Sequence, residues 1–207
     1  RRTGLREIGE DEIREPLGLV LADLAEDEQL TPFGRLTARS ILGQILRARL
    51  RVHAALARRK GAAVLPVRAP LVIVGLPRTG TTHLHHTLAQ VPALRSLPFW
   101  ESIAPLPGRL AAHGLPDARR LRARLRLRQI DSMLPLMRAM HAMEVDLPHE
   151  ELQLSALTFR SFFFEGAFRL PRYQHWYTAS DHQAAYLDLR RMLQLLQALR
   201  GGERWVL

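Results

Sequence analysis

The residues best suited to chemistry lie in the stretch LVIVGLPRTGTTHLHHTLA, residues 71–89. Gly75 and Gly80 occupy the two glycine positions of a phosphate-binding loop of pattern G-x-x-x-x-G-K-[ST], and Thr82 occupies its hydroxyl position. A loop of this kind, set between a strand and the start of a helix, points backbone N–H groups and the positive helix end at one spot. The spacing therefore predicts an anion-binding site.

The loop departs from this pattern at one position, because Thr81 stands where the lysine belongs. That lysine reaches the β- and γ-phosphates of a nucleoside triphosphate, so its replacement disfavours triphosphate hydrolysis. Arg78 supplies a cation earlier in the loop, and its planar guanidinium suits a tetrahedral oxyanion. Thr79 and Thr82 add hydroxyl donors beside Thr81. The loop therefore favours an anion without a third phosphate.

Two further regions could supply a general base for transfer to a hydroxyl group, a contribution of about 10²- to 10⁴-fold in rate. Glu101, in PFWES, follows a predicted short second strand at residues 94–97. It could equally cap a helix or lie at the surface. His141 and Glu144, in HAMEVDLPHEE, are three residues apart, so a helix would place them on one face. That pair could act as a base or lock a loop.

No metal site is predicted. His83, His85 and His86 lie close together in the sequence, but no acidic side chain accompanies them. The spacing of His141 and Glu144 differs from that of the H-E-x-x-H zinc motif. The absence of cysteine excludes disulfides and thiolate ligands, and it suits a reducing compartment.

The elements that would position these residues belong to an α/β pattern. Residues 66–75, PVRAPLVIVG, form a short apolar run bounded by proline and glycine, which is typical of a buried parallel strand. Helical periodicity covers residues 1–65 and returns at residues 81–90. The chain closes with GGERWVL, a turn and the start of another buried strand. We predict a helical N-terminal extension, residues 1–65, and an α/β domain, residues 66–207, truncated at its C-terminal side.

The charge of the chain supports a rival interpretation. The formal net charge is +10, and Lys60 is the only lysine among the 30 basic residues. Residues 119–128, RRLRARLRLR, concentrate the arginines. Such a surplus attracts nucleic acid, anionic lipid or a multiply charged ligand, although a solvated arginine surface would have the same composition. No zinc-finger or RNP pattern accompanies it, and no apolar run reaches the roughly 18 residues of a membrane span.

Several stretches together resemble a known family. PLVIVGLPRTGTTHLHHTLA resembles the 5′-phosphosulfate-binding loop of the sulfotransferases that use 3′-phosphoadenosine 5′-phosphosulfate (PAPS). LPFWESIAPLPG, MHAMEVDLPHEELQLS and GGERWVL are similar to a bacterial branch of that superfamily with a helical N-terminal extension. The resemblance implies a P-loop-like, three-layer α/β fold with a parallel sheet, which is incomplete in these residues.

The same resemblance implies roles for the loop residues. Arg78 would contact the transferring sulfuryl group, where many relatives have lysine. The residues that match the cofactor-binding loop are Arg78, Thr79, Gly80, Thr81, Thr82 and, through its backbone, His83. Glu101 lies where several branches place their catalytic glutamate or histidine, and His141 with Glu144 is the second candidate for the base.

The family's site for the 3′-phosphate is expected elsewhere. It pairs an arginine at the end of a strand with a serine eight residues later. Arg172 and Ser180 have that spacing, but RLPRYQHWYTAS follows no apolar strand, so the real pair is expected beyond Leu207. The resemblance therefore implies that these 207 residues alone bind the cofactor weakly or not at all.

The sequence thus predicts a bacterial, cytoplasmic PAPS-dependent sulfotransferase acting on a hydroxyl or amine acceptor without a metal. The alternatives are an arginine-rich polyanion-binding domain, for nucleic acid or a membrane, and a small-molecule kinase with a degenerate loop. An apolar patch rich in methionine, residues 133–143, could line a pocket for a hydrophobic acceptor or pack in the core. The sequence does not indicate the acceptor or the oligomeric state, and no nucleic-acid partner is expected.

Overall fold

The computed structural model describes residues 10–58, 65–76, 79–108, 111, 116–136, 143–202 and 204–207. Within these residues the chain is rich in helix, and its β structure is limited to isolated bridges. Two compact units are present: Arg1–Val64 with Leu152–Leu195, and Leu65–Glu151 with Leu196–Leu207. We call them unit 1 and unit 2. The division into residues 1–65 and 66–207 that the sequence suggested stays a prediction.

The helices of the described residues are numbered here in chain order. They are α1 (Glu10–Glu26), α2 (Pro32–Arg58), α3 (Thr81–Leu88), α4 (Phe99–Ile103), α5 (Arg119–Met133), α6 (Leu152–Ser155), α7 (Phe163–Ala167), α8 (Pro171–Ala179) and α9 (Gln183–Arg200), with a 3₁₀ turn at Ala156–Thr158. The boundary between the units falls within α9. Within the part of the chain that the structure describes, no helix is both long and apolar enough to cross a membrane.

Helix α2 begins with a capping threonine and a first-turn proline. The Thr31 hydroxyl accepts a hydrogen bond from the Gly34 N–H at 3.0 Å, and Pro32 takes the first helical position, where a missing N–H costs nothing. Helix α1 continues through Pro16. Its apolar side, including Ile13 and Val20, is buried in the core of unit 1. Packing of that side offsets the loss of one backbone hydrogen bond at the proline.

The core of unit 1 contains buried polar groups that form hydrogen bonds with one another. Tyr173 is fully buried, and its hydroxyl accepts from the Ser161 N–H at 3.1 Å and lies 3.0 Å from the Phe159 carbonyl. The buried Asp23 carboxylate accepts from the Tyr173 N–H at 3.0 Å. Burial raises the pKa of the Tyr173 hydroxyl, so it stays a hydrogen-bonding group rather than an ionised one.

Unit 2 is built around α4 and α5. Phe99 and Trp100 of α4 pack with Ala123 and Leu127 of α5 in one apolar cluster. Prolines flank α4 in the sequence. One of them, Pro98, forms an antiparallel bridge with Pro148. The buried segment Trp205–Val206 completes the unit beside the loop described below.

Candidate anion-binding site

Three chain segments lie side by side at the base of the glycine-bounded loop. Leu71 forms a parallel bridge with Val206, and Arg95 forms a parallel bridge with Trp205. Five backbone hydrogen bonds of 2.8 to 3.0 Å connect them, among them Leu71 N–H to the Trp205 carbonyl and Ile73 N–H to the Leu207 carbonyl. The terminal residues therefore lie between the segment that leads into the loop and the segment around Arg95.

Gly75 is required because the loop folds back onto it. A Cβ atom at this position would lie 2.7 Å from the Thr81 Cγ2 methyl and 2.9 Å from the Thr79 hydroxyl oxygen. Both distances are shorter than any side chain can tolerate, so a larger residue would displace the loop. The first glycine of the pattern thus permits the close approach of the loop's second half.

Gly80 is required for a different reason. Its φ is 91° and its ψ is 10°, a left-handed conformation that side chains disfavour. Among the described residues, no atom lies within 4 Å of the position that a Cβ would take. This residue caps α3 without a side-chain hydrogen bond.

The start of α3 leaves backbone donors free. The Leu84 N–H donates to the Gly80 carbonyl at 3.0 Å, which is the first bond of the helix. Among the residues that the structure describes, no acceptor pairs with the N–H groups of Thr81, Thr82 or His83. Three unpaired donors at the positive end of a helix form a site for an anion.

The threonine hydroxyls differ in what they can donate. The Thr79 hydroxyl donates to the Leu76 carbonyl at 2.6 Å, so its single hydrogen stabilises the loop. The Thr82 side chain is half-buried, and within the described part of the chain its hydroxyl has no recorded partner. Thr82 is thus the better placed of the two to donate to a ligand. The proposed contact of Thr79 with the cofactor stays a prediction.

His85 connects α3 to the segment that ends the chain. Its side chain is 5% exposed, and its Nε2 lies 3.3 Å from the Val206 carbonyl oxygen. Burial lowers the pKa of His85 below its ordinary value of 6.5, although the Val206 carbonyl opposes the shift. The neutral ring with its hydrogen on Nε2 can donate this bond, so α3 is held against Val206 without a buried charge.

This arrangement predicts that unit 2 loses stability in mild acid. The folded pKa of His85 lies below the unfolded one, so the unfolded chain binds more protons and unfolding becomes easier as the pH falls below 6.5. We expect the thermal midpoint to be lower at pH 5.5 than at pH 7.5, and His85→Gln to reduce that difference. His83→Gln, exposed on the same helix, is the control. A His85→Gln variant that keeps the full pH dependence would contradict this assignment.

Glu101 lies in a buried network of opposite charges. It is 1% exposed in the first turn of α4, and its two carboxylate oxygens each lie 3.3 Å from Nη2 of Arg95. Arg200 Nη1 donates to the same carboxylate at 2.9 Å. Both oxygens therefore accept hydrogen bonds from guanidinium groups, and no capping bond is formed by a side chain at this helix start.

Tryptophans surround the arginines of this network. The Arg95 guanidinium lies 4.1 Å from the Trp205 ring centroid, and that of Arg200 lies 5.0 Å from the Trp100 ring centroid. Arg95 also donates to the Gly201 carbonyl. Burial lowers the pKa of Arg95, and the Glu101 carboxylate opposes the shift. Arg95 thus joins α4 to the Gly201 turn and to the Trp205 side chain.

These sites lie within a stretch that matches a known family. Residues 70–199, more than half of the chain, match the sequence profile described as Sulfotransferase family. The chain belongs to this family. A comparison with curated proteins found no significant match.

Two solved structures extend the similarity. The crystal structure of sulfotransferase STF1 from Mycobacterium tuberculosis H37Rv (type1 form) aligns with a TM-score of 0.77 and 29% identity, covering 99% of this chain and 56% of that one. The crystal structure of sulfotransferase STF9 from Mycobacterium avium aligns with a TM-score of 0.80 and 31% identity, covering 99% of this chain and 53% of that one. The chain therefore spans about half the length of these sulfotransferases.

The remaining predicted residues of this sulfotransferase-family chain fall into two groups. Arg78 and His141 lie outside the described residues, so their roles stay predictions. Glu144 is exposed, after the end of α5. In the described part of the chain no group of three histidine, aspartate or glutamate side chains converges as a metal site would require. The expectation of metal-free chemistry also stays a prediction.

The surroundings of Arg172 and Ser180 agree with the sequence argument that these two residues do not form the 3′-phosphate site. Both residues belong to unit 1, in and just after α8, and no strand precedes them. Arg172 forms ion pairs with Glu26 and, at 4.0 Å, with Asp23, whereas the Ser180 hydroxyl donates to the Trp176 carbonyl at 2.7 Å. Each side chain thus has a structural partner.

The sequence did not predict that Arg95, Arg200 and His85 contribute to this region. Arg95 lies in a proline-rich stretch, and its charge partner Glu101 is six residues away on a different element. Arg200 pairs with Glu101 across 99 residues. The one signal was the ending GGERWVL, in which Trp205 and Val206 form isolated parallel bridges with Arg95 and Leu71; a strand at this position stays a prediction.

Proposed function

We propose that the protein transfers a sulfuryl group from PAPS to a hydroxyl or amine acceptor. The observation that carries the proposal is the loop between Gly75 and the start of α3, with its left-handed Gly80 and three backbone N–H groups that have no partner among the described residues. Because the chain belongs to the sulfotransferase family, sulfuryl transfer is the reaction class that we propose for this loop. Because the chain spans about half of each similar structure, activity and acceptor both belong to the proposal.

The donor set of the loop fits the phosphosulfate of PAPS. From Gly75 to His83 the sequence contains no acidic residue. Within the described part of the loop, the N–H groups of Thr81, Thr82 and His83 are donors without a partner. A helix start of this kind holds two or three anionic oxygens well. The threonine in place of the lysine removes the group that a third phosphate would require.

The fold that best accounts for the bridges is the P-loop-like α/β fold. Three segments, around Leu71, Val206 and Arg95, already run parallel with Val206 in the middle. We propose that they form part of a parallel sheet with helices on both sides, as the resemblance implies. In such a sheet, ligands bind beyond the carboxyl ends of the strands, where the loop from Gly75 begins.

When bound, PAPS would supply an activated sulfuryl group, whose bond to the 5′-phosphate breaks as the acceptor oxygen or nitrogen bonds to sulfur. The chain's own contribution is to hold the anionic oxygens with the N–H groups of α3 and the Thr82 hydroxyl, and to neutralise charge with Arg78. A base receives the acceptor proton. Positioning and electrostatics of this kind dominate the related phosphoryl transfers.

Of the two candidates for the general base, the contacts of Glu101 favour the other one, His141 with Glu144. The Glu101 carboxylate is paired with two guanidinium groups, so accepting a proton there would break both ion pairs. We therefore assign Glu101 a positioning role and propose that His141 with Glu144 supplies the base. The metal-free mechanism and the reducing cytoplasmic location belong to the same proposal, and the acceptor is proposed to be a small, hydrophobic molecule.

The experiment that tests the proposal is calorimetric titration of the longest natural form of the protein with 3′-phosphoadenosine 5′-phosphate (PAP). We expect PAP to bind more tightly than ATP with Mg²⁺, and EDTA to leave PAP binding unchanged. Tighter binding of ATP with Mg²⁺ would favour a kinase. Binding of neither nucleotide would contradict a role for the loop in nucleotide chemistry.

A further inference from the structure

Helix α5 has two faces of different character, and one of them packs in unit 2. Arg119, Ala123 and Leu127 are buried on that inner face. Arg119 donates to the carbonyls of Ala104 and Pro105 at 3.2 and 3.1 Å and pairs with Asp117. The inner face thus has its hydrogen-bonding and packing partners within the unit.

The opposite face exposes apolar side chains to solvent. Leu121 is 58% exposed and Leu125 is 55% exposed, and their i, i+4 spacing places them one above the other. The exposure continues past the helix end, where Leu134 and Leu136 are 53% and 75% exposed. Adjacent exposed leucines of this kind mark an interaction surface more often than isolated ones do.

Arginines flank the exposed leucines. Arg122, Arg124 and Arg128 are exposed, and no carboxylate of the described residues lies within ion-pair distance of them. Their neighbours differ, because Arg119 pairs with Asp117 and Arg120 pairs with Asp146 at 3.0 Å. On a helix, residues 124 and 128 lie on one side of the leucine row and residue 122 lies on the other.

From this arrangement we propose that the outer face of α5 binds the surface of an anionic membrane. We define that face by Leu121, Arg122, Arg124, Leu125 and Arg128. Its two components match the two parts of a bilayer interface: the leucines enter the acyl boundary, and the guanidinium groups pair with lipid phosphates. The proposal does not depend on the proposed sulfuryl transfer.

The leucines decide between a membrane and nucleic acid. Phosphates of either polyanion would attract the arginines, and a salt dependence would follow in both cases. A nucleic acid offers nothing to two adjacent leucines, which would stay in water, and no aromatic side chain lies on this face for base stacking. Of these two polyanions, only a lipid surface buries both components.

The test is cosedimentation of the 207-residue chain with vesicles of phosphatidylcholine alone or mixed with phosphatidylglycerol. We expect partitioning into the anionic vesicles only. The triple variant R122Q/R124Q/R128Q should lower the partition coefficient on the order of 100-fold, since each basic residue near an anionic surface contributes about 5-fold. L121S/L125S should lower it by about 10-fold, because the buried apolar area is lost.

Matched variants control for charge and for exposed leucine in general. R39Q/R169Q/R190Q removes three exposed arginines from other elements, and L36S/L187S removes two exposed leucines from α2 and α9. Both should bind like the unmodified chain. Absence of anionic binding, equal losses in the control variants, or binding that depends on the arginines but not on Leu121 and Leu125 would each overturn the proposal.

A second measurement applies if a variant loses its fold, as circular dichroism would show. In an otherwise unmodified chain, Leu125→Trp should give additional fluorescence quenching by brominated phosphatidylglycerol vesicles beyond that of the native tryptophans. Quenching equal to that of the unmodified chain would overturn insertion of this face. RNA added as a competitor should displace the protein from the vesicles only by competing for the arginines. The affinity of the protein for RNA should therefore be unaffected by L121S/L125S.

Discussion

Replacing Glu101 by glutamine is expected to lower the free energy of unfolding of unit 2 by about 3 to 5 kcal/mol. The substitution keeps the size of the side chain but leaves the buried Arg95 and the exposed Arg200 without their countercharge. Urea denaturation followed by tryptophan fluorescence measures the effect, since Trp100 and Trp205 both contact arginines of this network.

The matched control is Glu144→Gln, which changes an exposed glutamate of the same unit and should alter stability by no more than about 0.5 kcal/mol. The comparison also separates the two roles considered for Glu101. If Glu101→Gln stays as stable as the unmodified chain and loses only turnover, the carboxylate is a catalytic base and the positioning role is wrong.

Substituting alanine at Gly75 is expected to weaken PAP binding by about 100-fold. The new Cβ would meet the Thr81 methyl at 2.7 Å, so the loop must move, and displacements of about 1 Å at a site have effects of this size. Gly80→Ala meets no atom within 4 Å and has only the strain of its left-handed backbone, about 1 to 2 kcal/mol, so the loss there should be nearer 10-fold.

A second substitution distinguishes contact from strain. Thr81→Ser removes the methyl group that the new Cβ would meet, and it should restore part of the affinity to Gly75→Ala but none to Gly80→Ala. Gly108→Ala, where a Cβ has open space and no unusual φ, should bind PAP like the unmodified protein. Equal losses at all three glycines would show that the contact at Gly75 does not shape the loop.

The parts of this site that follow local rules could be predicted from the sequence. The glycine spacing places the loop, and helix α3 begins at Thr81 as expected. The apolar run before the loop was predicted to be a buried strand, but it forms a single bridge at Leu71 and leaves Val72 and Val74 exposed. The Gly201–Gly202 turn and the paired Trp205–Val206 segment follow from the same kind of signal, because glycine alone adopts φ values of 75° and 81° without strain.

The parts that depend on distant residues could not be predicted. The sequence suggested a second strand at residues 94–97, but this region forms only a single parallel bridge at Arg95. Prolines at 92 and 98 limit it, since they lack the N–H that a ladder needs. The environment of Glu101 depends on Arg200, 99 residues away, and nothing in PFWES distinguishes a buried ion pair from a surface carboxylate.

The central claim is that the loop holds the anionic end of PAPS, and its most direct test compares two threonines of one helix. The Thr82 hydroxyl faces no recorded partner in the described residues, whereas the Thr87 hydroxyl, at the far end of α3, donates to the His83 carbonyl at 2.9 Å. Calorimetric titration with PAP should show about 10- to 100-fold weaker binding for Thr82→Ala, the size of a hydrogen bond to a charged group, and unchanged binding for Thr87→Ala. Equal affinities for the two variants would contradict the claim.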